Sequence, residues 1–389
     1  MRLARRLLLK NYGITHMTKL LGVGIIGCGN ISAAYLQLAP MFKGYKILSV
    51  ADINMDNANA KAKEFGVRAQ TVEQLLQAND IDLVINLTIP AAHVEVSRKI
   101  LEAGKHVYSE KPFVLSLAEA QELGTVAKAN DVRIGSAPDT FMGASHQLAR
   151  NLVDNGVIGD ITSGTAVVMS PGMEDWHPNP DFFFLNGGGP ILDLGPYYIC
   201  TLVQILGPVK KVASFTNSAT KTRTIANGPR NGEIIPVETP TTIHSVLYFE
   251  NGAIITLLAS WDVWATAHPI MELYGSKGTM SVPDPNFFGG IVTITEQAND
   301  PVEKTWDHPF AIPNFEDTKA NYRGAGLADM ALSISANTPH RCNETFATHV
   351  VEVMTAVLEA GQTQEVMTMT TTCQRPEALG PDQARALLV

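Results

Sequence analysis

Over the first ~140 residues, short apolar runs alternate with stretches whose apolar positions recur at helical spacing. LGVGIIG (21–27), KILSVAD (46–52), IDLVINLT (81–88), HVYSE (106–110) and VRIGSAP (132–138) read as strands. The first and third are apolar on both faces, as in a sheet covered from both sides. Helices are predicted over CGNISAAYLQLAP, NANAKAKEFG, VEQLLQAN, AAHVEVSRKILEAG and LAEAQELGTVAKAN, with Pro40, Gly66 and Gly104 as stops. Strands separated by helices of this length imply a parallel sheet with right-handed crossovers.

Beyond this point the pattern changes. A helix over ASHQLARNLVDNG, ending at Gly156, precedes longer strands: ITSGTAVVMS, PVKKVASFT, TIHSVLYFE, GAIITLLASWDVW, PIMELYGS and GTMSVPD. Asn251-Gly252 and Ser276 to Gly278 supply hairpin turns. The prediction is an α/β unit over 19–140, followed over 141–389 by an α+β unit with a mainly antiparallel open sheet. Two late helical segments, GLADMALSISAN and FATHVVEVMTAVLEAG, are expected to pack back on that sheet. Trp261, Asp262 and Trp264 fall on one predicted strand, with both indoles expected on a shared face.

Length and composition narrow the choices. A chain of 389 residues suits two domains, and 45% hydrophobic with 17% charged residues is ordinary globular content. The net charge of -9 leaves no basic surplus for phosphates, so neither nucleic acid nor an anionic membrane is expected as a partner. Cys28, Cys200, Cys342 and Cys373 are scattered without a CxxC pair, which predicts neither a disulfide framework nor structural zinc and fits a reducing, cytoplasmic setting. The histidines are too dispersed for a metal site, and none is expected. The basic start MRLARRLLLKNYGITH has too short an apolar run for a signal peptide; residues 1–16 are expected to be an extension ahead of Met17.

Gly27-Cys28-Gly29-Asn30-Ile31-Ser32 sits where the first strand meets the first helix. Glycines there let the backbone approach a pyrophosphate at a helix N-terminus, which favours an anion. The third fingerprint position is Ser32 rather than Gly or Ala. Asp52, at the end of the second strand, is placed to accept from a ribose hydroxyl and to repel a 2′-phosphate, which favours NAD over NADP. The alternative is that Asp52 or Asn54 only caps the next helix. A Rossmann domain binding NAD is thus predicted over 19–140. Thr88, Pro90 and His93, at the turn after IDLVINLT, where a helix N-terminus again suits the cofactor, are further candidate contacts.

Two other segments carry candidate chemistry. Glu110-Lys111-Pro112 follows a parallel strand at the sheet edge where ligands bind, with Glu110 and Lys111 expected near the cofactor. Gly187-Gly188-Gly189 leads into Asp193 and Tyr197, four apart and hence on one helix face. Each alone is also what a surface turn or a capped core helix looks like. In Asp175-Trp176-His177-Pro178-Asn179-Pro180, Trp176 and His177 suit sugar stacking and hydrogen bonding, or else a rigid packed loop.

Together these segments resemble the Gfo/Idh/MocA family of sugar and polyol dehydrogenases, over essentially the whole chain from Lys19. The resemblance implies that Lys111, Asp193 and Tyr197 form the catalytic group and that Asp193 and Tyr197 touch substrate. Many members carry histidine where this chain has Tyr197. A phenol has a reference pKa of about 10 and needs a neighbouring cation such as Lys111 to act as base or relay. Either Tyr197 or Lys111 is the proton acceptor, and Tyr198, about 100° further round the helix, is a competing candidate. DWHPNP, GGGPILDLGPYYI and GLADMA are similar to a branch that includes D-apiose dehydrogenases, which implies oxidation of an aldose at C1 to a lactone. The resemblance also admits oxidation at another position, an NAD-dependent glycosidase or a non-catalytic regulator. It implies pairing of subunits through the open sheet, as a homodimer or homotetramer.

Overall fold

The computed structural model describes residues 20–297, 299–315 and 319–389; the extension expected over 1–16 lies outside them. The first sheet comprises β1 (Leu21–Ile26), β2 (Tyr45–Ala51), β3 (Arg68–Gln70), β4 (Leu83–Asn86), β5 (His106–Ser109) and β6 (Ile134–Ser136). Between them run α1 (Asn30–Leu38), α2 (Met55–Phe65), α3 (Val72–Gln77), α4 (His93–Glu102) and α5 (Leu117–Ala129). Every residue of β1 and β4 is buried, as their two-sided apolar sequences require. Gly66 ends α2 in the left-handed conformation, and a Thr71–Gln74 capping box starts α3. The edge strand β3 was not anticipated, because Arg-Ala-Gln carries no apolar run.

All pairings in this sheet are parallel, in the order β3-β2-β1-β4-β5-β6. Strand order therefore reverses between β1 and β4, where such sheets open a crevice beyond the carboxyl ends of the strands. The turns that follow β1, β4 and β5 all face this end.

The second half holds α6 (Ala144–Asp154), β7 (Ile161–Met169), α7 (Asp181–Phe184), α8 (Pro190–Asp193) and α9 (Gly195–Leu206). Then come β8 (Val209–Asn217), β9 (Thr222–Thr224), β10 (Ile234–Pro236), β11 (Thr242–Phe249), β12 (Ile254–Ser260), β13 (Met271–Gly275), β14 (Gly278–Val282), β15 (Val292–Glu296) and β16 (Val302–Lys304). The chain closes with α10 (Ala325–Ala336), α11 (Glu344–Thr363), β17 (Met367–Thr368) and α12 (Pro381–Leu387). Nine strands form one sheet in the order β16-β15-β14-β13-β7-β12-β11-β8-β17, antiparallel except for the parallel pair β7–β12. The predicted hairpins at Asn251-Gly252 and Ser276–Gly278 join β11 to β12 and β13 to β14.

Two expectations are corrected. The strand β12 ends at Ser260, so Trp261 and Trp264 do not share a strand face: Trp261 is fully buried and Trp264 is 86% exposed. Of the two late helices, α11 does pack on β8, but it also reaches α5 and β6, while α10 lies against β2, β6 and α12. The apolar residues of α10 surround it rather than forming a stripe, which suits a helix enclosed at the edge of the first sheet.

The start of α10 is pinned by one buried carboxylate. Asp139 Oδ2 accepts from the backbone N–H groups of Gly324 (2.8 Å) and Gly326 (3.1 Å). Burial pushes the Asp139 carboxyl above its ordinary range, although Arg323 and the two glycine amides pull the other way. Replacing it leaves two buried donors unpaired. Asp139→Ala is expected to lower unfolding free energy by about 1–3 kcal/mol, measured by urea denaturation; an unchanged midpoint would contradict this anchor.

Candidate active site

The dinucleotide turn begins at Gly27, whose φ of +102° is left-handed. A Cβ there would stand 2.6 Å from the carbonyl carbon and oxygen of Leu87, so both conformation and packing require glycine. Gly29, with open space around it, precedes α1 and offers no side chain to cap it. No acidic residue occupies the first turn, so Asn30 and Ile31 present their amides at a helix end suited to an anion. Ser32 departs from the usual glycine, and its hydroxyl is accommodated by donating to the Gly29 carbonyl at 2.6 Å.

Asp52 stands beside this turn. Its Oδ2 accepts from the Cys28 N–H (2.7 Å) and its Oδ1 from the Asn54 N–H (2.8 Å), while Asn54 caps α2 through Asp56 N–H. The capping role thus belongs to Asn54, and Asp52 ties the end of β2 to the glycine turn.

After β4, Thr88 donates its hydroxyl to Asn86 Oδ1 at 2.7 Å, and Pro90 opens a short turn into α4. His93 lies beneath that turn and is buried. Its Nδ1 faces the Pro112 carbonyl (2.8 Å) and its Nε2 the Thr88 carbonyl (3.0 Å). Burial pushes the imidazole below its usual pKa, against the pull of both carbonyls. Its ring supports the turn from inside rather than lining its surface.

After β5, Glu110 is buried. Its Oε2 accepts from the Lys111 N–H (2.8 Å) and its Oε1 from Tyr35 Oη and Arg323 Nη1 (3.1 Å each). The Lys111 side chain crosses to the other half of the molecule. Its Nζ donates to Asp193 Oδ1 (2.7 Å) and to the Asp193 carbonyl (2.9 Å), and lies 5.3 Å from the Tyr197 ring centroid.

Asp193 and Tyr197 do not share one continuous helix as expected. Asp193 ends α8 and Tyr197 lies in the first turn of α9. Pro196 lacks an N–H and is suited to the start of a helix, so the chain restarts there. Both residues nevertheless meet Lys111.

Burial disfavours the Lys111 ammonium, but Tyr197, Asp193 and Glu110 outweigh it and hold the amine above the ordinary lysine range. Lys111 therefore keeps its proton throughout neutral pH and acts as a donor. The Tyr197 hydroxyl has no hydrogen-bond partner among the described residues and is not a sealed, unpaired atom, so it remains available. Tyr198 instead faces Asp284 Oδ1 (3.4 Å), and burial followed by that carboxylate pushes its phenol well above 10.

Trp176 and His177 make no hydrogen bond or ring contact with this triad among the described residues. His177 packs edge-on against Trp176, Phe182 and Phe183, and its Nδ1 accepts from the Asn179 N–H. The same loop feeds the glycine turn, since the Phe183 carbonyl accepts from the Gly189 N–H at 2.8 Å. Trp176 is 65% exposed. Sequence reasoning missed Tyr35 and Arg323, which converge on Glu110 from α1 and from just before α10 respectively. Among the described residues, no group of three or more His, Cys, Asp or Glu side chains is placed to hold a metal ion, and no helix is long and apolar enough to cross a membrane.

The two tyrosines make a clean test. Tyr197→Phe is expected to lower kcat by about 10²–10⁴-fold, the range for a positioned proton-transfer group, and Tyr198→Phe by less than about tenfold. Steady-state kinetics that rank them in the reverse order would reject the assignment.

Residues 21–137 match the family model described as Oxidoreductase family, NAD-binding Rossmann fold, and residues 146–281 match the GFO/IDH/MocA C-terminal domain. Oxidoreductase P35 of Formosa agariphila is 26% identical over 287 residues, covering 70% of this chain and 81% of its own. A 1,5-anhydro-D-fructose reductase of Ensifer adhaerens is 29% identical over 49% of this chain and 58% of its own. The fold is shared with levoglucosan dehydrogenase in complex with NADH (TM-score 0.77, 19% identity, 91% of this chain and 100% of that one). It is shared also with the aldose-aldose oxidoreductase of Caulobacter crescentus (TM-score 0.73, 17% identity, 90% and 100%). With both halves matched and the glycine turn formed, the chain belongs to the Gfo/Idh/MocA family of NAD-binding oxidoreductases.

Proposed function

We propose that this protein oxidises a sugar CH–OH group with NAD, and that its preferred substrate is a free aldose, D-apiose among them, oxidised at C1. The observation that carries the reading is the meeting of Lys111, Asp193 and Tyr197 at the carboxyl end of the first sheet. Gly27, Gly29, Asn30 and Ile31 would hold the pyrophosphate of NAD, and Asp52 its ribose. Thr88, Pro90, Glu110 and Lys111 stand on the nicotinamide side, with His93 bracing the turn from below. When bound, NAD supplies the hydride acceptor.

The chain's own residues manage the proton. Asp193 aims the Lys111 ammonium, which donates a hydrogen bond to the substrate oxygen. Lys111 already carries its proton, so Tyr197 is the relay, taking the substrate proton as its own phenolic proton is lost to solvent water. Trp176 and His177 give the neighbouring loop an aromatic and a polar face for the sugar.

The C1 reading rests on the residue pattern DWHPNP, GGGPILDLGPYYI and GLADMA. A second reading, oxidation at C3, is favoured by relatives named dTDP-3,4-didehydro-2,6-dideoxy-alpha-D-glucose 3-reductase (28% identical) and glucose-6-phosphate 3-dehydrogenase (30% identical). NADH formation across a panel of aldoses, their C1-blocked methyl glycosides and polyols separates the two. Turnover of free aldoses but not of glycosides is expected, with kcat/KM higher for NAD than for NADP. Equal turnover of the glycosides would move the reaction to C3, and glycoside cleavage without net NADH would make the protein a glycosidase.

The open face of the second sheet supports self-association. Phe215, Val246, Tyr248 and Ile254 are exposed on β8, β11 and β12. His244 opposite Phe215, and Tyr248 opposite Ile254, place these positions on one face. A homodimer or homotetramer is expected by light scattering, shifting toward monomer in Phe215→Glu/Tyr248→Glu. A wild-type monomer at tens of micromolar would reject it.

A further inference from the structure

We infer that Arg323 is a positioning residue for Lys111, acting through the Glu110 carboxylate that both share. The inference rests on the reading of Lys111 as the substrate's hydrogen-bond donor. Glu110 is buried, and its oxygens are committed: Oε2 receives the backbone N–H of Lys111 itself, and Oε1 receives Tyr35 Oη and Arg323 Nη1. Among the described residues Arg323 is the only ion-pair partner of Glu110. A buried carboxylate that loses its one ion-pair partner is left under-compensated and protonates, recruits water or swings out. Any of these removes or weakens the acceptor that holds the Lys111 backbone.

Arg323 is itself fixed from a remote part of the chain. It precedes Gly324 (φ +101°), whose N–H is bound by Asp139, so the guanidinium is set by the anchored start of α10. Burial disfavours its charge, but Glu110, Tyr197, Tyr35 and Asp139 more than compensate, so it stays a cation. The anchored start of α10 is thus linked to Lys111 through one ion pair.

Four variants test this: R323M, R323K, E110Q and E110Q/R323M, each with kcat and KM for the sugar, NAD affinity by tryptophan fluorescence, and Tm. R323M is expected to lower kcat by about 10²-fold, the scale of a small misplacement of a catalytic group. Its NAD dissociation constant should change by less than about fivefold, and R323K should recover most of the loss. In the E110Q background the same R323M change should cost less than about threefold in kcat, because the route through the carboxylate is already cut. Should R323M alone fail to fold, the comparison of E110Q with E110Q/R323M, whose buried pair is neutral, carries the test. Arg323 acting independently of Glu110 would make R323M as costly in that background as in the wild type, and this would overturn the inference. A wild-type kcat in R323M would do so too. Absence of turnover in the wild-type protein would instead reject the reading of the site.

Discussion

The ion pair between Lys111 and Asp193 is the contact on which the site depends. The partners are 82 residues apart and come from the two halves of the molecule, one after a parallel strand, the other at the end of a short helix. Both are partly withdrawn from water, where the desolvation of two charges offsets much of their attraction. Asp193 answers the lysine with its backbone carbonyl as well as its carboxylate. The pair is therefore better understood as a locator than as a source of stability: it fixes where a protonated amine sits between the two sheets.

What surrounds the pair fixes its backbone. The turns after β4 and after β5 share a buried polar network. Asn86 Nδ2 donates to the His93 carbonyl and to Ser97, Asn86 Oδ1 accepts from Thr88, and the Asn86 carbonyl accepts from the Glu110 N–H. His93 closes the loop by reaching Thr88 on one side and Pro112 on the other. Such networks are worth keeping only when their members are satisfied, and this one is. The network therefore ties the backbone after β4 to the backbone that carries Lys111.

Much of this was legible in the sequence because it is local. Gly27 to Ser32 lies between an apolar strand and a helix, and Glu110-Lys111-Pro112 and Gly187 to Tyr197 are short contiguous motifs. The parallel order of the first sheet followed from its alternating strands and helices. What stayed hidden depends on long-range contact. Arg323 meets Glu110 across 213 residues, and Asp139 meets Gly324 across 185, with no periodicity to announce either. The break between α8 and α9 was signalled by Pro196 but was overridden by the Asp–Tyr spacing. The misplacement of Trp261 and Trp264 came from extending a strand pattern past its real end at Ser260.

The central claim is that a carbinol hydride leaves a substrate held by Lys111. It is tested most directly with an aldose deuterated at the carbon undergoing oxidation, following the label into the reduced cofactor by mass spectrometry under single turnover. The account predicts stoichiometric deuterium in the NADH formed by the wild-type protein, with a primary isotope effect on the transfer. It predicts transfer slowed by about 10²–10⁴-fold in Lys111→Ala at saturating NAD. Label moving at the wild-type rate in Lys111→Ala, or reduced cofactor formed without label, would contradict it.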